Sequence, residues 1–262
     1  MDSKPFLGVV HLRPLPSAAT SAGRGFDDVV DQAIRDAEAL VKGGVDGVMV
    51  ENFGDAPFHK GTRADPVPPD VPAGLAVIAD RIRREWGVPV GLNCLRNDAI
   101  AALGAAAVSG ARWVRVNVLT GSYVTDQGQI DGEAARVELY RKQLGVEVQI
   151  LADFMVKHAT PLGDLDPVVG ARDLAERSGA SAMILTGDRT GAPVDSGLFD
   201  TVRSAVGDFP IWIGSGLDLD SASTLWPMCD GAIVGSALQA GGVAGQAVEW
   251  QRVRAMRDAL TA

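Results

Sequence analysis

Polar residues able to do acid–base or anion chemistry recur in this sequence at one kind of place, the last residues of short apolar runs. They are His11 and Arg13; Glu51, Asn52 and Asp55; Asn93, Arg96, Asn97 and Asp98; Arg115 and Asn117; Asp153, Lys157 and His158; Thr186, Asp188 and Thr190; Ser215; and Ser236. Structural loops carry polar residues too, so no single position decides anything. Their recurrence at nearly every run is the stronger signal.

The run Trp113-Val114-Arg115-Val116-Asn117-Val118 is the most informative. Side chains alternate across a strand, so the three valines share one face, expected against helices. Trp113, Arg115 and Asn117 share the other. An inward arginine costs several kcal/mol unless it is paired or serves an anion. It therefore either closes an ion pair with an inward acid, Glu51 or Asp153, or contacts substrate directly. Lys157 has three readings: a Schiff-base amine if desolvated, an anion partner, or a solvated loop lysine. His158 and His11 can transfer protons, since an imidazole titrates at about 6.5, or can be structural hydrogen-bonded histidines. His59 falls in a Pro-rich loop and is expected to be exposed.

Two glycine turns close later runs, Gly214-Ser215-Gly216 and Gly235-Ser236-Ala237, with Thr186-Gly187 and Thr190-Gly191 before them. Glycine lets backbone approach a ligand, and the N–H groups that follow can cradle an anion. These turns are either a phosphate site or simply tight packing turns. Glu51, Asp55, Asp98 and Asp153 offer carboxylates for proton transfer, and an oxygen-rich cluster suits Mg²⁺. No metal-ligand spacing such as H-E-x-x-H is present, so neither a metal nor a cofactor is expected. Asp126 and Gln127, in Thr125-Asp126-Gln127-Gly128, either cap a turn or lie over the pocket.

The elements that must position these groups follow from the rhythm of the chain. Eight apolar runs are read as strands: 6–11, 47–51, 89–93, 113–118, 148–153, 182–186, 210–213 and 231–234. Amphipathic patterns between and after them predict helices over 26–41, 73–86, 98–108, 132–144, 167–178, 196–206, 221–226 and 244–260. Eight strands each followed by a helix within 262 residues is the arithmetic of one (β/α)8 barrel spanning 1–262. A doubly wound sheet is the alternative, but the turn after the first strand, His11-Leu12-Arg13-Pro14-Leu15-Pro16, lacks the G-x-G-x-x-G fingerprint. In the barrel, strand C-termini carry the active site, and the last two loops are the usual phosphate site. The Pro-rich segment 56–72 sits inside the second strand–helix connection, and a loop of that length is often a lid or binding loop.

Composition excludes several classes. Hydrophobic residues make up 47% and charged residues 22%, too apolar for disorder. The net charge of −9 disfavours nucleic-acid binding. Two cysteines, Cys94 and Cys229, cannot make a disulfide framework or a four-ligand zinc site and fit a reducing compartment. No signal peptide and no run of 18 apolar residues is seen. The expected setting is cytoplasmic, with no membrane span. The Ala- and Val-rich helix 99–108 serves a homo-oligomer contact or only the barrel's outer layer.

Several stretches together resemble one family. They are Gly8-Val9-Val10-His11-Leu12-Arg13-Pro14-Leu15-Pro16, Glu51-Asn52-Phe53-Gly54-Asp55-Ala56-Pro57-Phe58, Leu95-Arg96-Asn97-Asp98, Arg115-Val116-Asn117-Val118, Thr125-Asp126-Gln127-Gly128, Val156-Lys157-His158-Ala159 and Gly214-Ser215-Gly216. In that order, over residues 6 to 255, they are similar to the BtpA/SgcQ family. The resemblance implies a TIM barrel of the ribulose-phosphate-binding kind. It implies no assigned reaction. One branch is linked to photosystem I accumulation at the thylakoid surface, and another sits among sugar-uptake genes with a nucleoside or sugar-phosphate label. Arg13 and Ser17 depart from the family pattern, where an uncharged residue and a glycine are expected.

Two function classes follow. The first is an enzyme on a small phosphorylated substrate, a sugar phosphate or nucleotide-like molecule, working as an isomerase, a lyase or a glycosidic-bond hydrolase. Its phosphate would lie on Gly187, Gly214, Ser215, Gly216, Gly235 and Ser236. Asn93, Arg96, Arg115, Asn117 and Asp126 would bind the rest. Glu51 or Asp153 would be the base, His158 or His11 the acid, and Arg115 or Lys157 would stabilise developing charge. The second is a non-catalytic assembly factor. That role would call for an exposed apolar patch or a basic stripe, and the sequence shows neither.

Overall fold

The computed structural model describes residues 4–156, 158–187 and 195–261. Strands and helices alternate: β1 (Phe6–His11), α1 (Phe26–Gly43), β2 (Gly47–Glu51), α2 (Asp70–Trp86), β3 (Val90–Asn93), α3 (Ala99–Ser109), β4 (Trp113–Val116), β5 (Ser122–Thr125), β6 (Gly128–Asp131), α4 (Ala134–Leu144), β7 (Gln149–Phe154), β8 (Ala159–Pro161), α5 (Pro167–Arg177), β9 (Ala182–Leu185), α6 (Ser196–Val206), β10 (Ile211–Ile213), α7 (Ala222–Leu225), β11 (Gly231–Val234) and α8 (Trp250–Thr261). Eight strands close a parallel barrel in the order β1-β11-β10-β9-β7-β4-β3-β2. The expected (β/α)8 barrel is therefore the fold.

Two apolar layers hold it. Leu7, Val9, Met49, Trp113, Leu151, Ala182, Ile184, Trp212 and Ile233 fill the barrel. The second, larger layer lies between barrel and helices and takes Val114 and Val116 from β4. Period-2 alternation thus sorts β4 as expected up to Val116. Val118 departs from that expectation. β4 ends two residues early, and Val118 packs instead with Tyr123, Ile130 and Val156.

That small cluster belongs to a feature the strand count did not contain. β5, β6 and β8 form a three-stranded antiparallel sheet, order β6-β5-β8, built from the loops after β4 and β7. Its strands are only three or four residues long, below the length at which alternation stands out. The last helix also differs: the chain over 244–249 is irregular, and α8 starts at Trp250. Glycines at 241, 242 and 245, all with positive φ, account for the delay, because such residues do not continue a helix.

The barrel floor depends on two tryptophans. Trp113 and Trp212 meet edge to face with centroids 6.2 Å apart, a favoured aromatic geometry. A Cβ on Gly231 would stand 2.7 Å from the Trp212 ring, and one on Gly47 would stand 3.0 Å from Trp113. Gly231→Ala is expected to lower unfolding free energy by about 1–3 kcal/mol, the usual cost of overpacking, as read from urea denaturation. A neutral result would show that the floor has slack. Both cysteines are buried, and burial pushes the Cys94 thiol well above its ordinary range and Cys229 up to about 11. A thiol reagent at pH 8 is expected to label neither in the native protein and both after denaturation.

Candidate active site at the barrel mouth

Strand register builds the site. His11 pairs with Glu51 across β1 and β2, Glu51 with Asn93 across β2 and β3, and Asn93 with Arg115 across β3 and β4. Four polar side chains thus form a continuous row just inside the C-terminal rim. Arg115 is level with Leu151 of β7, and Asp153, two residues further along, shares that face. None of the five is more than 8% exposed.

The row is tightly connected. Arg115 donates from Nε to Asp153 Oδ1 at 2.9 Å and from Nη2 to Oδ2 at 3.1 Å, while Nη1 reaches Glu51 Oε1 at 3.4 Å. Asn117 Nδ2 donates to Asp153 Oδ2 at 2.7 Å, and Asn93 Nδ2 to Glu51 Oε1 at 3.1 Å. Burial opposes the arginine charge, but Asp153 and Glu51 outweigh it and leave the guanidinium pKa above its ordinary value. The ion pair expected for Arg115 is present, with both candidate acids. Arg115 also lines the mouth cavity.

His11 is fixed from behind. Its ring lies 4.3 Å from that of Phe53, tilted by 32°. Nδ1 takes the backbone N–H of Gly245 at 3.2 Å and stands 2.9 Å from Gln239 Nε2. The same Gly245 N–H reaches Gln239 Oε1 at 2.9 Å. Nδ1 also lies 3.3 Å from Gln239 Oε1, so Gln239 and Gly245 together hold this edge of the ring and leave Nε2 facing Glu51. Nε2 is 3.7 Å from Glu51 Oε2.

A cavity of about 430 Å³ opens above this row. It brings together the expected residues His11, Glu51, Asn93, Arg96, Arg115, Asn117, Asp126 and His158. Asp126, at the tip of the β5–β6 hairpin, lines the cavity, while Thr125 Oγ1 closes the turn by taking Gln127 N–H and donating to Gly128 O. Burial lowers the Arg96 pKa, against Asp153, Asp126 and Glu51, which raise it. His158 has positive φ and lines the cavity from an exposed position. A second, smaller cavity of about 50 Å³ is lined by Gly214, Ser215, Gly216, Gly235 and Ser236. A Cβ on Gly214 would collide with Ile184 and lie 3.1 Å from Arg115 Nη2, so glycine lets this turn pack against β9 beside the guanidinium. Among the described residues the buried hydroxyls of Ser215 and Thr186, and Asn117 Oδ1, have no hydrogen-bond partner. Gly187 is buried but does not line the smaller cavity. Lys157, Asp188 and Thr190 lie outside the described residues.

Several other strand-exit polar groups hold loops rather than face the mouth. Asp55 accepts from Leu15 N and Asn52 Nδ2. Asp98 caps α3 by accepting from Ala101 N, and also takes Val67 N. Asn97 exchanges two hydrogen bonds with the backbone of Val118. His59 is exposed, as expected, and pairs with Asp65 at 2.8 Å. Among the described residues no group of three or more His, Cys, Asp or Glu is placed to hold a metal ion, and no helix is long and apolar enough to cross a membrane. Residues missed from sequence are Gln239, Phe53, Phe58 and Leu95. The phenylalanines flank Gly54-Asp55-Ala56-Pro57 next to Glu51, a signal that was available. Gln239 lies in an unpatterned stretch and had none.

Comparison with known proteins agrees with this architecture. Among solved structures, phosphoribosyl anthranilate isomerase from Thermus thermophilus superposes with a TM-score of 0.57 over 98% of each chain at 12% identity, a likeness of fold alone. The photosystem I biogenesis protein BtpA of Synechocystis sp. is 43% identical over 98% of this chain and 88% of its own. The sgc region protein SgcQ of Escherichia coli is 28% identical over 95% of this chain and 91% of its own. The BtpA family model matches residues 2–262. With barrel, motifs and relatives in agreement over nearly its whole length, the chain belongs to the BtpA family.

Proposed function

We propose that this protein is an enzyme acting on a small phosphorylated substrate by acid–base chemistry at the barrel mouth. The observation that carries the reading is the His11–Glu51 pair. A carboxylate and an imidazole held from behind stand side by side, buried, at the C-terminal rim of a (β/α)8 barrel and open to a cavity. Fold alone does not give a reaction; the pair does give a division of labour.

Glu51 is the proton acceptor. Asp153 takes three hydrogen bonds from Arg115 and Asn117, so it serves to hold the guanidinium. His11, protonated at Nε2, donates a hydrogen bond to a substrate oxygen and polarises it. Arg115 stabilises negative charge that develops as Glu51 takes its proton. This set suits isomerisation, lyase chemistry or glycosidic cleavage. The phosphate would rest in the turns of Gly214–Gly216 and Gly235–Ser236, where the unpartnered Ser215 hydroxyl supplies a donor. Loops after the last two barrel strands are the usual phosphate site of this architecture, and the fold neighbour named above takes a phosphoribosyl substrate.

A second reading, a non-catalytic assembly factor, is favoured by one observation, the similarity to the photosystem I biogenesis protein of Synechocystis sp.. The two readings differ in what the mouth must do. A scaffold has no need of a buried imidazole beside a carboxylate at the edge of a cavity, and it would sediment with membranes or a partner complex without turning over any ligand.

Thermal unfolding against sugar phosphates, nucleotides and their unphosphorylated counterparts is expected to show stabilisation by phosphorylated members only. A ligand at 100 times its Kd adds about 2.7 kcal/mol; a flat response contradicts the reading. With the best ligand as substrate, Glu51→Gln is expected to lower turnover by about 10²–10⁴-fold with binding retained. Nitrogen-15 NMR of labelled histidine is expected to show His11 unprotonated at Nδ1 at neutral pH; a protonated Nδ1 would remove its assigned role. Arg115→Met leaves Asp153 and Glu51 buried without their cation and is expected to cost about 3–5 kcal/mol in urea unfolding.

A further inference from the structure

The two cavities at the mouth share three lining residues, His11, Glu51 and Arg115. They are therefore adjoining lobes, and the groups assigned to proton transfer and charge stabilisation stand between them. The small lobe, about 50 Å³, is walled by glycine turns. The large lobe, about 430 Å³, has a different character. Phe53, Phe58 and Leu95 give it apolar surface, and Arg96, Asn117 and Asp126 give it hydrogen-bonding edges. Of these, Asn117 presents an oxygen without a partner among the described residues.

A sugar phosphate alone would leave the large lobe mostly water. Phenylalanine rings are poor partners for hydroxyl groups and good ones for a flat π-face. A planar heteroaromatic group meets the whole lining: its faces suit the phenylalanines, and its edge suits the arginine, the asparagine and the aspartate. Resting on the phosphorylated-substrate reading above, we propose that the substrate is a phosphorylated sugar bearing a planar aromatic or heteroaromatic group. The phosphate occupies the small lobe and the ring the large one. The sugar, with the bond that reacts, lies between the lobes beside Glu51, His11 and Arg115.

Calorimetric titration of the full chain tests this with three probes: ribose 5-phosphate, adenosine 5′-monophosphate and adenosine. The ring-bearing phosphate is expected to bind at least about tenfold tighter than ribose 5-phosphate, as ring stacking on aromatic side chains commonly gives. Phe58→Ala is expected to remove most of that difference, and Phe58→Tyr to keep it. Circular dichroism verifies that both variants are folded. Equal affinity for the two phosphates, or equal behaviour of the alanine and tyrosine variants, overturns the ring assignment and leaves the phosphorylated-substrate reading standing. Equal binding of adenosine and its monophosphate overturns the phosphate lobe and keeps the ring. Absence of binding by all three probes overturns both.

Discussion

A guanidinium buried inside a barrel is the constraint on which the rest of this mouth depends. Arg115 is 6% exposed, and an unpaired cation there would cost several kcal/mol. Its surroundings answer that demand. Asp153 meets two of its nitrogens, Asn117 steadies Asp153, Glu51 meets the third nitrogen, and Asn93 steadies Glu51. The glycine at 214 is required for a separate reason, since a side chain there would collide with Ile184 before it reached the guanidinium. One cation thus ties together residues on or just after four strands, β2, β3, β4 and β7. It also leaves Glu51 with an oxygen on the His11 side, so stability and chemistry draw on the same contacts.

The mouth is divided by depth and by character. Below the polar row the barrel is apolar, closed by the Trp113–Trp212 contact. Above it, one side is backbone and glycine and the other is aromatic. The polar row is the level at which both mouth cavities meet the same charged side chains, Glu51 and Arg115. The groups proposed for acid–base work are placed there by the register of four strands rather than by a loop. That suits a site in which small displacements matter.

The fold was legible because strands buried on both faces read as compact apolar runs, and three of the eight, Phe6–His11, Gly47–Glu51 and Gly231–Val234, match to the residue. The inward placement of Arg115 followed from strict alternation in β4. What sequence could not separate was ligand-facing polar groups from loop-holding ones. Asp55, Asn97 and Asp98 stand at strand exits just as Glu51 does, yet turn to backbone N–H and C=O groups of distant segments. Which way such a residue turns is decided by a partner tens of residues away. Gln239 escaped for the converse reason, since its role lies wholly in contacts with His11 and Gly245. The antiparallel sheet escaped because three- and four-residue strands carry too few alternations to read.

That sheet has a mechanical consequence. Thr125 and Ala159 are register partners on β5 and β8, so Asp126 and His158, which follow and precede them, leave the same end of one hydrogen-bonded unit. They come from connections after different barrel strands, yet they share a frame. Two of the walls that touch the large cavity therefore have the degrees of freedom of a single body. Any widening of the entrance on that side swings an acid and an imidazole together, and their mutual spacing is conserved through the motion.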